Sequence, residues 1–335
     1  MLDTRSIPDV PAAYLAELPD MLRRCKGRAL HVGAPTCPSE SALASIHLAV
    51  VIALNMNYAQ RHAHRFRYLH AAENPGDWTR AWNKVFYLTE RSAQAAAYTS
   101  TERTCHWLLM LDSDAYVHSH MRSVTSELDL IASRYQLLNT TVAVLSREQT
   151  IAQFQAGIEW VNPGVLLARP SRRACELGLA WQWIGQRSGS AARSGWPAEM
   201  GVITEMLQGS GFEPASKLAS AWREGHSWNL GEAPQAAVLQ VNMTELNSPW
   251  GGYVRHFFNE YNRNHLLGQA LALSLNIFGP WNHTGRHHFL TALSHARQHV
   301  EAYQPRVDAS ITHDGHLPPK RCESYGPDPR TVHVL

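Results

Sequence analysis

The chain has 335 residues, 44% of them hydrophobic and 17% charged, with 30 basic and 28 acidic side chains giving a net charge of +2. That length suffices for a large, well-buried α/β domain. The charges are well mixed, with no basic block or stripe, so nothing supports nucleic-acid binding.

The first twenty residues carry acidic and proline residues and no apolar core of the kind a signal peptide needs. The most apolar early run, residues 42–55, is interrupted by Ser45 and His47 and is too short to cross a bilayer, so no membrane contact is expected from this chain. Residues 28–33 read as a strand ending at Gly33, and residues 41–64 as a helix capped by Ser39 or Ser41. A second strand is expected at residues 66–70 and a second helix at 82–100. Residues 106–111 form a strongly apolar strand that stops at Asp112-Ser113-Asp114. A helix over 119–135 and a strand over 141–145 follow.

That alternation predicts an α/β fold of Rossmann-like type, a mostly parallel sheet with helices on both faces. Ligands in such sheets bind beyond the carboxyl ends of strands, where the acidic pair sits. Beyond Gln149 come a strand over 161–169 broken at Pro163-Gly164, a helix over 171–184, a mobile loop over 185–195 and a helix over 197–207. Strands are expected at 237–241 and 252–258. A helix over 263–278 should bury Leu266, Leu267, Leu271 and Leu275, and a tail with little fold of its own should begin after Gln304. The division is then an N-terminal extension over 1–27, halves of one domain over 28–148 and 149–303, and a tail over 304–335.

Three local patterns carry chemistry. Asp112 and Asp114 repel each other and lose hydration beside an apolar strand, penalties that a divalent cation such as Mn2+ or Mg2+ removes. Aspartates also suit a plain turn. His256, in the short Gly-led strand Gly252-Tyr-Val-Arg-His256, is either a satisfied core residue or a third ligand for the same ion. Asn162-Pro163-Gly164 interrupts an apolar run. It either lets the backbone approach a ligand, with Asn162 hydrogen-bonding sugar hydroxyls, or forms a β-bulge.

Five cysteines show neither a zinc pattern nor a dense disulfide framework, although one or two bridges are possible. Sequons at Asn139, Asn242 and Asn282 barely favour a secretory location.

In order, Asn57-Tyr-Ala-Gln-Arg-His62, Trp82-Asn-Lys84-Val, Leu111-Asp-Ser-Asp-Ala115, Asn162-Pro-Gly-Val165, Glu199-Met-Gly-Val202 and Val254-Arg-His256-Phe resemble the retaining α-galactosyl- and xylosyltransferases of the GT-A nucleotide-sugar transferase fold. The resemblance spans residues 28–270. It implies metal ligation by Asp112, Asp114 and His256, and donor contacts by Lys84, Ser113, Asn162 and Gly164. Glu199 and Asn162 would line the sugar pocket as catalytic candidates. It further implies a UDP-sugar donor carrying galactose or xylose, a glycan, glycoprotein or polysaccharide acceptor, and a Golgi or secretory location, with the cytoplasm as the alternative. Pro163 and Met200 stand where that family has Thr and Gln. They keep open a second reading, a degenerate transferase fold that binds glycans or acts as a scaffold. A nucleotidyltransferase is the third, although residues 33–38 lack the basic residue its phosphate loop carries. Trp181, Trp183, Trp196 and Trp250 are candidates for stacking on an acceptor glycan, and core packing explains the first two equally well.

Overall fold

The computed structural model describes residues 2–3, 6–10, 40–71, 76–97, 106–148, 159–195, 198–209, 212–223, 237–247, 251–256, 263–305 and 322. The expected strand at 28–33 lies outside them.

The short strand β1 (Leu2–Asp3) precedes helix α1 (Glu40–Arg61). Residues Leu48 to Leu54 of α1 are all essentially inaccessible, as expected of a helix apolar on every side and wrapped by its neighbours. Strand β2 (Tyr68–Ala71) leads through a single turn at Arg80–Trp82 into α2 (Asn83–Ala97). Strand β3 (Leu108–Leu111) ends at the acidic pair, and β4 (Ala115–Val117) starts directly after it. Helix α3 (Val124–Arg134) is capped by Ser123, whose hydroxyl accepts from the Ser126 N–H. Strands β5 (Ala143–Glu148) and β6 (Trp160–Ala168) follow, then α4 (Arg172–Arg187), capped by Ser171. Next come α5 (Ser190–Arg193), α6 (Ala198–Gln208), α7 (Ser216–Arg223), β7 (Val238–Asn242) and α8 (Met243–Leu246). Strand β8 (Val254–His256), helices α9 (Arg263–Phe278) and α10 (His283–Gln298), and β9 (Val300–Tyr303) complete the order.

The fold is α/β, with the Asp112–Asp114 pair at a strand end as expected. Strand direction is more mixed than the alternation suggests. A four-stranded sheet runs β3-β6-β5-β7, with β6 antiparallel to both neighbours and β5 parallel to β7. A parallel sheet runs β1-β2-β9, and β4 pairs antiparallel with β8. Strand β6 is antiparallel because its partner β5 is the strand just before it in the described chain, and alternation of apolar runs carries no information on direction.

Several expectations need correction. Strand β6 runs on through Pro163-Gly164, but its pairing with β5 shifts there. Leu145 faces Leu166 and Ser146 faces Asn162, so Pro163, Gly164 and Val165 have no partner in β5, which is the bulge expected as one reading of this turn. Residues 185–195 are not a loose loop: α4 continues to Arg187, α5 follows, and Arg193 holds Asp77 through two guanidinium nitrogens at 2.6 and 2.8 Å. Leu275 is 37% exposed, whereas Leu267 and Leu271 are buried. Helices α7 and α10 and strand β9 had no counterpart in the sequence reading. Trp181 and Trp183 are buried in the core and cannot stack on a glycan. Trp196 and Trp250 lie outside the described residues.

Helices α2 and α4 pack closely because Gly178 admits the Thr89 side chain and Gly185 admits the Trp82 ring. The Gln182 amide then donates to Thr89 Oγ1 at 2.6 Å, satisfying polar atoms inside that contact. Cys322, also buried, is disulfide-bonded to Cys175 of α4.

Candidate metal centre

Two neighbouring strand pairings build the site. The Asp112 N–H donates to the Gly164 carbonyl at 2.9 Å, extending the β3–β6 ladder by one step. The Ala115 N–H turns back to the Asp112 carbonyl at 3.0 Å, which aims both carboxylates to the same side. In the β4–β8 register Ala115 faces His256, so the imidazole arrives beside the residue just before Ala115. From α1, Asn55 donates to the Ala115 carbonyl and accepts from the Val117 N–H, both at 3.0 Å, fixing β4 from its free edge.

One ligand atom each of Asp112, Asp114 and His256 lies within 4.8 Å of the others. His256 Nε2 is 3.1 Å from Asp114 Oδ1 and 3.8 Å from Asp112 Oδ2. Its other nitrogen, Nδ1, is 2.8 Å from Asn247 Oδ1. The Asn247 amide nitrogen donates to the Asn162 carbonyl at 3.3 Å, which turns its oxygen toward the imidazole. Nδ1 therefore carries the proton in the neutral ring, and the Nε2 lone pair faces the carboxylates. Two carboxylate oxygens and one imidazole nitrogen, converging and pre-oriented, form a donor set that fits a hard divalent cation.

Burial disfavours the charged imidazolium, but Asp114 and then Asp112 outweigh it and raise His256 above its ordinary value. Burial likewise disfavours a charged Asp114, and the His256 ring overrides it, holding the carboxyl at about 2. A proton and a metal ion compete for the same lone pair.

Lys84, in the first turn of α2, is 8% exposed at its side chain; its Nζ is 2.7 and 2.9 Å from the two Asp112 oxygens and 3.6 Å from Glu199. Burial opposes its charge, and Asp112 and Glu199 more than restore it, leaving its pKa raised. Glu199 opens α6 after Ala198, which holds a left-handed φ of 43°. Burial pushes the Glu199 carboxyl up against the pull of Lys84.

Asn162 is 5% exposed. Its amide nitrogen donates to Glu148 Oε2 at 2.6 Å and its oxygen accepts from the Gly164 N–H at 2.7 Å. Gly164 leaves room for the His256 ring: a Cβ there would sit 2.7 Å from Nδ1 and 2.9 Å from Nε2. Ser113 lies between the two aspartates in the turn, half-buried.

Glu148 and Asn247 were missed by the sequence reading. Glu148 had a weaker signal, since it stands three residues past the apolar run Thr141–Leu145, whereas Asp112 directly follows its own. Burial raises its carboxyl pKa, against the Asn162 amide that favours the charged form. Asn247 had no signal, because only the fold sets it against His256.

No family model and no curated protein matches the chain. A solved structure that resembles it is described as a glycosyltransferase involved in the glycosylation of the major capsid of PBCV-1. The two are 15% identical, the match covers 69% of this chain and 95% of that one, and the TM-score is 0.41. At that level the likeness is too distant to bear on the fold or the chemistry of this chain.

Proposed function

We propose that this protein is a metal-dependent glycosyltransferase that moves galactose or xylose from a UDP-sugar to a hydroxyl of a glycan, glycoprotein or polysaccharide. The convergence of Asp112, Asp114 and His256 beside Lys84 carries the reading. An acidic pair that served only as a turn would need neither a buried imidazole nor a buried ammonium trained on it. The ordered motif resemblance over residues 28–270 supplies the sugar-transfer chemistry. The Cys175–Cys322 disulfide supports an oxidising, secretory compartment such as the Golgi lumen. No helix among the described residues is long and apolar enough to cross a membrane.

When bound by Asp112, Asp114 and His256, Mn2+ or Mg2+ supplies Lewis-acid neutralisation of the departing diphosphate. Lys84 brings a second positive charge to the same place, held by Asp112 and Glu199 until phosphates arrive. In transfer with retention, the bond from the anomeric carbon to the diphosphate oxygen breaks and its electron pair leaves on that oxygen. The acceptor oxygen bonds to the carbon from the same face, and its proton goes to the departing phosphate. Glu199, its pKa raised by burial, lies beside Lys84 and faces the sugar in this reading. Asn162 and Gly164 act from beneath, bracing the turn and seating His256. Ser113 is a donor contact in the same turn.

Thermal-shift titration with UDP, GDP and ADP, each with and without manganese, tests this. UDP should raise the melting temperature only with the metal present, and Asp114→Asn should erase that shift while leaving the unliganded protein folded. A shift independent of the metal, or unchanged in Asp114→Asn, overturns the assignment.

A further inference from the structure

A cavity of about 860 Å³ opens at the end of β4 away from the acidic turn. The last turns of α1 supply Asn57 and Arg61, the segment after β4 supplies His118, His120 and Met121, and α9 supplies Asn276 among others. From Asp114 to His118 the extended chain covers roughly 13 Å at strand spacing. A single small group held here does not also touch the Asp112–Asp114–His256 centre, whereas an oligosaccharide is long enough to span that distance.

The lining has a definite chemical character. Arg61 is exposed, and among the described residues its guanidinium contacts only the Met121 sulfur, at 3.0 Å. A thioether is a weak acceptor, so the donors of the guanidinium are almost unspent. No described lining residue is acidic. His120 is 6% exposed, and neither of its ring nitrogens has a hydrogen bond of normal geometry among the described residues; the buried Nδ1 of His118 is in the same position. Burial, assisted by nearby arginines, holds both rings down to about 4, so at neutral pH they are uncharged, and among the described lining residues the positive charge is that of Arg61. Met121 is 77% exposed and gives an apolar surface for the C–H face of a sugar ring.

We propose that this cavity binds an acidic oligosaccharide, its anionic group on Arg61 and its hydroxyls on the side-chain amides of Asn57, Gln60 and Asn276. That this saccharide is the acceptor rests on the transferase reading; that it binds does not.

The test measures binding to the full-length protein by calorimetry without metal. The probes are a uronic-acid oligosaccharide, sulfated and phosphorylated oligosaccharides of equal length, a neutral one, and free acetate, sulfate and phosphate. At least one acidic saccharide should bind tenfold or more tighter than the neutral one, and the tightest arm identifies the anionic group. Arg61→Gln, a change at an exposed position, should erase that preference. Asp114→Asn should keep it. Equal binding of neutral and acidic saccharides, equal binding of the free anions, no binding, or a preference that survives Arg61→Gln overturns the proposal. Saccharide binding retained in a protein that shows no metal-dependent UDP shift would sink the transferase reading and leave the cavity site standing.

Discussion

Gly164 of β6 lies directly beneath the His256 ring, which fills the space a Cβ would take. The imidazole reaches the acidic pair because that one residue has no side chain. Gly164→Ala would place a methyl group 2.7 Å from Nδ1 and 2.9 Å from Nε2, and the ring would have to move. We expect a loss of about 1–3 kcal/mol of stability, the usual range for overpacking a buried contact, together with loss of metal-dependent nucleotide binding. Chemical denaturation and a manganese-dependent UDP thermal shift check the two effects separately. A variant with unchanged stability would show that the ring does not sit against Gly164.

Asn247 holds the His256 tautomer through its oxygen, 2.8 Å from Nδ1. Asn247→Leu keeps the volume and removes the acceptor. Metal affinity should fall about 10–100-fold, the range seen when a partner orienting a histidine ligand is removed. Manganese calorimetry measures it, and an unchanged affinity would show that the ring is oriented by packing alone.

The His256–Asp114 pair gives the metal-free protein a pH signature. The folded pKa of His256 is raised, so its contribution to stability is complete below the unfolded value of about 6.5 and is lost as pH climbs through the folded value. Asp114 is held at about 2, so its contribution is present above the unfolded value of about 3.9 and is lost as pH falls below it through the folded value of about 2. The Asp114 side chain keeps 32% of its exposure, which screens the pair and keeps the effect modest. Metal binding releases the Nε2 proton, so manganese affinity should rise from about pH 6 to about pH 8. A flat affinity across that range would remove His256 from the ligand set.

The disulfide between Cys175 and Cys322 closes a loop of 147 residues in sequence. Reduction, or Cys322→Ser, should cost about 2–5 kcal/mol and lower the melting temperature. Matched melts with and without reductant read it directly, and no change would mean that the segment around Cys322 adds nothing to stability.

Elements whose residues alternate or repeat with a clear period were legible in the sequence. Helix α9 was expected at its observed bounds, Ser171 was expected at the start of α4 and caps it, and the acidic pair stands just past an apolar strand as read. These features depend on neighbours within a few positions, so composition and spacing specify them. The sequence also singled out the three residues that converge. Tertiary structure decided that they do converge, because the meeting of Asp114 and His256 depends on an antiparallel pairing between segments 142 residues apart. It likewise set β6 antiparallel to its neighbours, placed Asn247 on the imidazole and brought α1 and α9 together around the cavity. Each of those outcomes comes from which apolar faces bury against one another across the whole chain, and local periodicity shows that a face exists without showing what covers it.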